Sequence, residues 1–434
     1  MNLLLKDCRV IVTQNRNRDV LENFDVLIAD GKIERIEKNI EADSKDFEVV
    51  DCKNKIVMPG LINSHTHAAM TLLRGYRDDL PLDEWLNEVW KVEAKLNEKF
   101  VRIGTLMACL EMIKTGTVCF VDMYYFSEGA RDAVRESGMR AFLGPAIIDL
   151  FDEERKEKSV KEAKRFIEAL IKENDERIKP VVSPHAIYTC SEDLLLESKE
   201  MSEAHNLKLT MHLSETRKEV CWCMKKYNMR PVDYLEKTGL LNERFVAFHS
   251  LWLTKEEIRK MGRYKVGAVH CPASNMKLAT GGALAYREMR ESGVLVSLGT
   301  DGACSNNSLD MFREMKFAAL LQKWFRWNAG EMLAQQALDM ATVNAARLFE
   351  LNTGAVEIGR DADLIMLDAT HYRLLPLKHA VSNIVYSATG DCVTDTMVKG
   401  EFLMRDGSLL TLDEERVKEE FGKAVEELID EGTE

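Results

Sequence analysis

Two histidines one residue apart, in the run Asn63-Ser64-His65-Thr66-His67, are the first feature of this chain that could do chemistry. On an extended strand, residues two apart point to the same side, so both imidazoles can grip one ion. Alone, such a pair is weak evidence. Further along, three more apolar runs end in metal-binding residue types: Met211-His212-Leu213-Ser214-Glu215, Phe248-His249 and Gly299-Thr300-Asp301-Gly302. Imidazole nitrogens with one carboxylate suit Zn²⁺ or Fe²⁺ and leave room for a water. The chemistry that follows is attack by a water activated near neutral pH.

Residues so distant in sequence meet only if a fold gathers the ends of their strands. From Ile56 onward, strands alternate with helices. The candidate strands are Ile56–Asn63, Val118–Tyr124, Arg140–Ile148, Lys179–Ser183, Lys208–Leu213, Phe245–His249, Val266–His270 and Val294–Gly299. Between them lie amphipathic stretches such as Ser159–Lys172, Glu192–His205, Lys255–Gly262 and Leu284–Ser292. Eight strands, each followed by helical sequence, predict an α/β fold, a parallel (β/α)₈ barrel of the TIM type. The C-terminal ends of its strands converge on one mouth, where His65, His67, His212, His249 and Asp301 would meet.

Both chain ends read differently. Leu3–Val12, Phe24–Ile28 and Lys32–Ile36 are short strands, the last two joined by an Asp30-Gly31 hairpin turn. After the helical stretch Met332–Leu348, strand-like segments return at Ala362–Leu367, Asn383–Ser387, Thr396–Val398 and Glu401–Met404. The economical reading is one small β-sandwich built from residues 1–55 and 358–434 beside a barrel of residues 56–357. An amphipathic helix over Asp413–Asp430 closes the chain, and no repeat of solenoid length occurs.

A formal charge of −13 argues against a protein that tracks phosphate backbones, so no nucleic-acid partner is expected. Charge interrupts the N-terminal run Met1-Asn2-Leu3-Leu4-Leu5-Lys6-Asp7 too early for a secretory signal. No apolar run reaches membrane-spanning length. No membrane association is expected, and the expected location is the cytoplasm. The ten cysteines contain no C-x-x-C pair, and Cys221-Trp222-Cys223 is too tight for a structural zinc pair. They read as reduced, mostly buried thiols, and the 21 methionines as core filler.

The run Val57-Met58-Pro59-Gly60-Leu61-Ile62-Asn63-Ser64-His65-Thr66-His67 resembles the start of the barrel in the amidohydrolase superfamily. The resemblance extends over essentially the whole chain, through Gly359-Arg360-Asp361-Ala362-Asp363-Leu364. Within the superfamily it is most similar to the methylthioadenosine/S-adenosylhomocysteine deaminases, also known as 5′-deoxyadenosine deaminases. The runs that carry this are Met211–Glu215, His270-Cys271-Pro272-Ala273-Ser274-Asn275-Met276-Lys277-Leu278 and Gly299-Thr300-Asp301-Gly302-Ala303-Cys304-Ser305-Asn306-Asn307.

The resemblance implies roles. His65, His67, His212 and Asp301 match the ligands of one divalent ion per subunit, Zn²⁺ or alternatively Fe²⁺. Glu215 matches the proton shuttle, and His249 the histidine that orients the attacking water. Glu93, His185 and Trp85 match substrate contacts, with Glu93 a partner for ribose hydroxyls. Asp301 is also an acceptor for the proton that the water releases. The implied reaction is hydrolytic loss of the adenine 6-amino group from a small-molecule adenine nucleoside, in a homo-oligomer. Members that take S-adenosylhomocysteine need cations for its carboxylate. Where a matching arginine is expected, this chain has Leu143-Gly144-Pro145, and Arg155 lies nearby. That favours neutral 5′-modified adenosines, such as methylthioadenosine or 5′-deoxyadenosine, with S-adenosylhomocysteine and adenosine as further substrates.

Other readings stand beside these. Taken alone, Glu93 is a solvated helix residue, and His185 simply ends a strand. His270 ends strand seven without a ligand role and reads as packed or hydrogen-bonded near the pocket, while His205, His371 and His379 read as structural or exposed. A guanine or cytosine deaminase or a triazine hydrolase would share the metal cradle and differ in the pocket. A non-catalytic binding protein of the same fold would be expected to lose ligands or the shuttle. A binuclear site would want a lysine near the end of strand four, and Val181-Val182-Ser183-Pro184-His185 offers none.

Overall fold

A computed structural model describes residues 2–41 and 47–429. Eight parallel strands form the barrel: Leu61–Thr66, Thr117–Tyr124, Arg140–Ile147, Ile178–Pro180 with Ser183–Pro184, Leu209–Leu213, Phe245–His249, Gly267–His270 and Leu295–Leu298. Ladders run from strand one to four and from five to eight. Parallel bridges Val182 to Leu209 and Ala186 to His212 join the two halves. Strand eight closes on strand one. The Asp301 N–H donates to the His65 carbonyl at 3.0 Å. The Asn63 amide donates to Thr300 Oγ1 at 2.7 Å and accepts from the Thr300 N–H at 3.0 Å. Residues of strands and outer helices alike are buried in one continuous apolar core. Helices such as Glu98–Lys114, Glu153–Glu173, Glu192–His205 and Met311–Arg326 form the outer ring.

Two sheets from the chain ends face each other as a β-sandwich. One has four strands, with Leu3–Cys8 between Phe24–Ala29 and Glu48–Asp51. The other has seven and includes Val10–Val12, Lys55–Pro59, Leu364–Asp368, Val393–Val398 and Glu401–Arg405. Leu5, Ile28, Val57, Leu364 and Met397 meet in the core between them. The predicted hairpin is present, with Asp30 and Gly31 both at positive φ, as its turn requires.

Three expectations need correction. The run Ile56–Asn63 is two strands rather than one: Lys55–Pro59 pairs with Leu364–Asp368 in the sandwich, and Leu61–Thr66 belongs to the barrel. Gly60 is the joint, where a Cβ would fall 2.2 Å from a Val118 methyl. Leu3–Val12 likewise divides between the two sheets at Arg9. Asn383–Ser387, expected as a strand, instead forms the end and cap of a helix over Ala380–Tyr386. There Ala380, Ile384 and Val385 are buried on one face at helical spacing, and the Asn383 amide holds the Leu374 and Pro376 carbonyls.

The stretch Met332–Leu348 forms two helices, Ala334–Ala341 and Val343–Leu348, that break at Thr342. The last helix spans Glu414–Leu428 with Asp413 as its cap; Asp430 lies outside the described residues. All ten cysteines are free thiols, and only Cys221 is exposed. No described helix is long and apolar enough to cross a membrane.

Candidate active site

At the barrel mouth, the backbone turns sharply where the strands end. Ser214, His249 and Asp301 all have positive φ, at 51°, 64° and 63°. Residues other than glycine adopt this conformation at a cost, and such positions gather at functional sites. One pocket is lined by His67, His185, His212, His249, Glu215 and Asp301, with Trp85, Trp90, Glu93 and Tyr125 on its outer wall. His65 is fully buried beneath it, its ring stacked on Phe248 with centroids 3.8 Å apart.

Each floor residue is held by a second group. Asp122 Oδ1 accepts from Thr66 Oγ1 at 2.9 Å and the Ala68 N–H at 2.7 Å, fixing the turn that carries His65 and His67. His67 Nδ1 donates to the Met123 carbonyl at 2.6 Å and His212 Nδ1 to the His185 carbonyl at 2.9 Å. Both rings therefore present Nε2 to the pocket. Asp301 Oδ2 accepts from Ser274 Oγ at 2.6 Å and Ser305 Oγ at 2.9 Å, while Oδ1 accepts from the Gly302 N–H at 2.8 Å. That same Oδ1 lies 3.4 Å from His65 Nε2 and 3.3 Å from His67 Nε2. Gly299 permits this closure, because a Cβ there would sit 2.7 Å from the His65 backbone nitrogen.

Among the described residues, two groups could hold a cation, each with ligand atoms within 4.8 Å of one another: His65, His212 and His249, and His65, His67 and Asp301. The expected quartet His65, His67, His212 and Asp301 is spread across both groups, joined through His65. Both ring nitrogens of His65 are buried without a hydrogen-bond partner. Buried polar atoms left so are rare, and a metal would satisfy one of them. The donor set thus fits a divalent ion.

Burial drives the His65 imidazole down to about 3 against the pull of the Asp301 carboxylate. Burial and the neighbouring imidazoles hold His212 well below its ordinary value. Burial alone would raise Asp301, but the imidazoles of His65, His67 and His249 outweigh it and hold the carboxyl well below the usual range. Neutral rings with an ionised carboxylate are the forms that bind a cation.

Glu215 is buried, its Oε2 3.8 Å from His249 Nε2. Burial, then the negative charge of Asp301, push its carboxyl up to about 8. Its backbone is clamped by Glu219, which the sequence reading did not single out. One Glu219 oxygen accepts from the Ser214 N–H at 2.7 Å, the other from the Glu215 N–H at 2.9 Å. Asn275 is a second residue missed in this sense, although it lies inside a quoted run. Its Nδ2 is 2.9 Å from His249 Nδ1; with the amide donating, the proton of the neutral ring sits on Nε2, toward the pocket.

On the outer wall, Glu93 is buried at the end of helix Leu82–Glu93 and accepts from Tyr124 Oη at 2.6 Å. The solvated reading of Glu93 is therefore wrong. Burial raises its carboxyl, and the Tyr124 bond opposes that. His185 Nδ1 lies 2.9 Å from Thr189 Oγ1, and Trp85 is buried with its indole N–H unpaired. Arg155 is apart from this pocket. It lines an adjoining outer cavity of about 410 Å³ with Leu96, Phe126, Ile148 and Leu150, and the two spaces share Trp90, Glu93 and Tyr125. His270 is packed and buried, with no hydrogen-bond partner on its ring, while His205 and His379 are exposed.

Comparison with known proteins follows the same lines. The amidohydrolase family model matches residues 56–403. The chain is 43% identical over 403 residues to the 5-methylthioadenosine/S-adenosylhomocysteine deaminase of Pyrococcus furiosus, covering 93% of this chain and 96% of that one. It is 42% identical over 415 residues to the 5′-deoxyadenosine deaminase of Methanosphaera stadtmanae, covering 95% and 96%. Among solved structures, an adenosine deaminase from Xanthomonas campestris with bound zinc superposes with a TM-score of 0.91 at 31% identity over 98% of each chain.

Proposed function

The chain belongs to the amidohydrolase family, and on that premise we propose that it hydrolyses the 6-amino group of 5′-modified adenosines, giving the inosine analogue and ammonia. One observation carries this reading: a single pocket holds the His/Asp cradle and Glu215 on its floor and a buried carboxylate, Glu93, on its aromatic outer wall. The floor suits an electrophilic ring carbon and the wall a ribose diol.

His65, His67, His212 and Asp301 would hold one divalent ion, which we assign as zinc on its donor set; Fe²⁺ is accepted by the same donors. When bound, the ion supplies Lewis acidity and makes water a nucleophile near neutral pH. The chain's own groups do the rest. Glu215, protonated, donates to N1 of the purine, so that C6 becomes open to attack. His249 directs its Nε2–H at the incoming oxygen. Asp301 takes up the proton that the water loses and returns it to the departing amino group. The Glu215 carboxylate, left by the donation to N1, takes the hydroxyl proton of the tetrahedral carbon, so that ammonia leaves and both carboxyls regain their starting forms. Trp85 packs against the substrate, His185 touches its base and Glu93 binds the ribose hydroxyls.

The outer cavity lies on the Glu93 side, where the 5′ substituent would project. Its wall is mostly apolar with Arg155 as its one cation, which favours neutral groups such as those of methylthioadenosine and 5′-deoxyadenosine. We further assign the protein to the cytoplasm, as a homo-oligomer. The test is loss of adenine absorbance with methylthioadenosine, 5′-deoxyadenosine, adenosine and S-adenosylhomocysteine, using metal-loaded protein. Turnover abolished by chelation is expected. Silence on all four with metal bound would transfer the assignment to free-base or triazine hydrolysis, and a strong preference for S-adenosylhomocysteine would overturn the neutral-substrate reading.

A further inference from the structure

The helix behind barrel strand eight carries a surface that a lone protomer leaves to water. Met311–Arg326 buries Met311, Phe312, Met315, Ala318, Ala319 and Gln322 against the molecule. On its other side Phe317 is 39% exposed, Leu320 44%, Trp324 74%, Phe325 44% and Trp327 94%. Residues 317, 320 and 324 are three and four apart, so they form one stripe along the helix, and Trp327 follows it at the cap. Trp327 ends the helix in the left-handed conformation, with φ 52° and ψ 36°, its N–H bonded to the last-turn carbonyls.

Aromatic side chains bury about 150–250 Å² each, so these exposed fractions amount to roughly 600 Å². A monomer's largest apolar patch is about 300–600 Å², and one side of a stable interface needs about 800 Å². The stripe with a modest rim meets that need.

The flanking charges point to the occupant. Lys323 Nζ donates to the carbonyls of Ala329, Glu331 and Met332 at 2.9, 2.7 and 2.9 Å. Arg326 pairs with Glu288, Arg287 with Glu331 and Arg313 with Asp310. Of this helix's cations, Lys316 and Lys323 have no ion pair among the described residues, and Lys323 is spent on those carbonyls. An acidic partner or an anionic membrane would find few free cations here. A second copy of the same uncharged stripe asks for no countercharge beyond the neighbouring Lys316, and a two-fold contact is self-complementary by construction.

We propose that this stripe is the two-fold interface of a homodimer, in which two Met311–Arg326 helices pack antiparallel with Trp324 and Trp327 of each copy against Phe317 and Leu320 of the other. This rests on the homo-oligomer reading above. The test is sedimentation of the full chain and of the double variant Trp324→Glu/Trp327→Glu, with metal content and turnover measured on both. The wild type is expected at twice the 49.5 kDa chain mass and the variant at half that, with turnover per chain within twofold. A monomeric wild type overturns both the oligomer and the face. An oligomer that persists in the double variant overturns the face alone. Phe317→Glu, at the opposite end of the stripe, is the second variant. It too must shed the dimer, so an oligomer surviving there overturns the assignment even if the tryptophan variant fails to fold.

Discussion

The floor and the outer wall of the pocket are built on different terms. On the floor, His67, His212, His249, Asp301 and the backbone of Glu215 are each pinned by a named second group, from Met123 and His185 to Asn275, Ser274 and Glu219. On the wall, Glu93 has one partner, Tyr124, and the Trp85 indole has none. Beyond it, the loops after strands two and three place Phe126, Leu150 and Phe151 at positive φ and leave them exposed. Rigid support fixes geometry at the reacting atoms, where small displacements are costly. Loops at the rim can change without disturbing that geometry. On the function proposed above, the floor would set the reaction and the wall which nucleoside enters.

The sharpest break in this contrast is removal of a floor ligand. His212→Ala is expected to lose the metal and all measurable turnover, and full occupancy by elemental analysis would refute the ligand role. Glu215→Gln keeps the metal but loses about 10²–10⁴-fold in kcat, the usual worth of a positioned acid; near-normal rates would remove Glu215 from the mechanism. The same group sets a pH limit. Its carboxyl is raised to about 8, so the protonated donor persists below that value and is lost above it. The kcat/KM of wild type should fall as pH rises through about 8, and a profile flat to pH 10 would contradict the assignment.

Smaller effects separate support from contact. Glu219→Gln puts an amide N–H₂ against one of two backbone donors, and should lower kcat by about 10- to 100-fold with KM little changed, as other outer groups do. Combined with Glu215→Gln it should cost nothing more, and an additive loss would show that Glu219 acts independently. Glu93→Ala should instead lower kcat/KM for ribosides by about 10- to 100-fold, the worth of hydrogen bonds to a charged group. A loss confined to kcat would move Glu93 out of the binding wall. Arg155→Ala is expected to change methylthioadenosine turnover by less than about twofold, because exposed charge contributes little to a neutral ligand. A large loss there would make the outer cavity a polar subsite.

Much of the floor was legible because chemistry and periodicity coincide at strand ends. The H-x-H pair, His212, His249 and Asp301 each close an apolar run, and those runs are strands one, five, six and eight or the turn after them. The helix Glu192–His205 was readable to the residue for a similar reason, with Ser191 as its cap. Glu93 was harder, since its burial comes from helix Leu82–Glu93 folding back over the mouth toward Tyr124. Glu219 was not legible at all as a clamp, because a glutamate in a helix's first turn looks the same whether it faces solvent or the N–H groups of Ser214 and Glu215.

Local residue types determine which strands and turns form and which side chains could bind or transfer a proton, because dihedral preference and hydrophobic periodicity act over a few neighbours. They do not determine partition between sheets or the partner of a buried polar atom. Lys55–Pro59 and Leu61–Thr66 are one apolar run, and they separate only because Leu364–Asp368 claims the first and Thr117–Tyr124 the second. Ala380–Tyr386 coils because its neighbours bury one face of it. The ring-nitrogen choice at His67, His212 and His249 likewise follows from carbonyl and amide groups far along the chain. Such contacts are long-range, and their energies exist only once the barrel has closed on itself at Asn63 and Thr300.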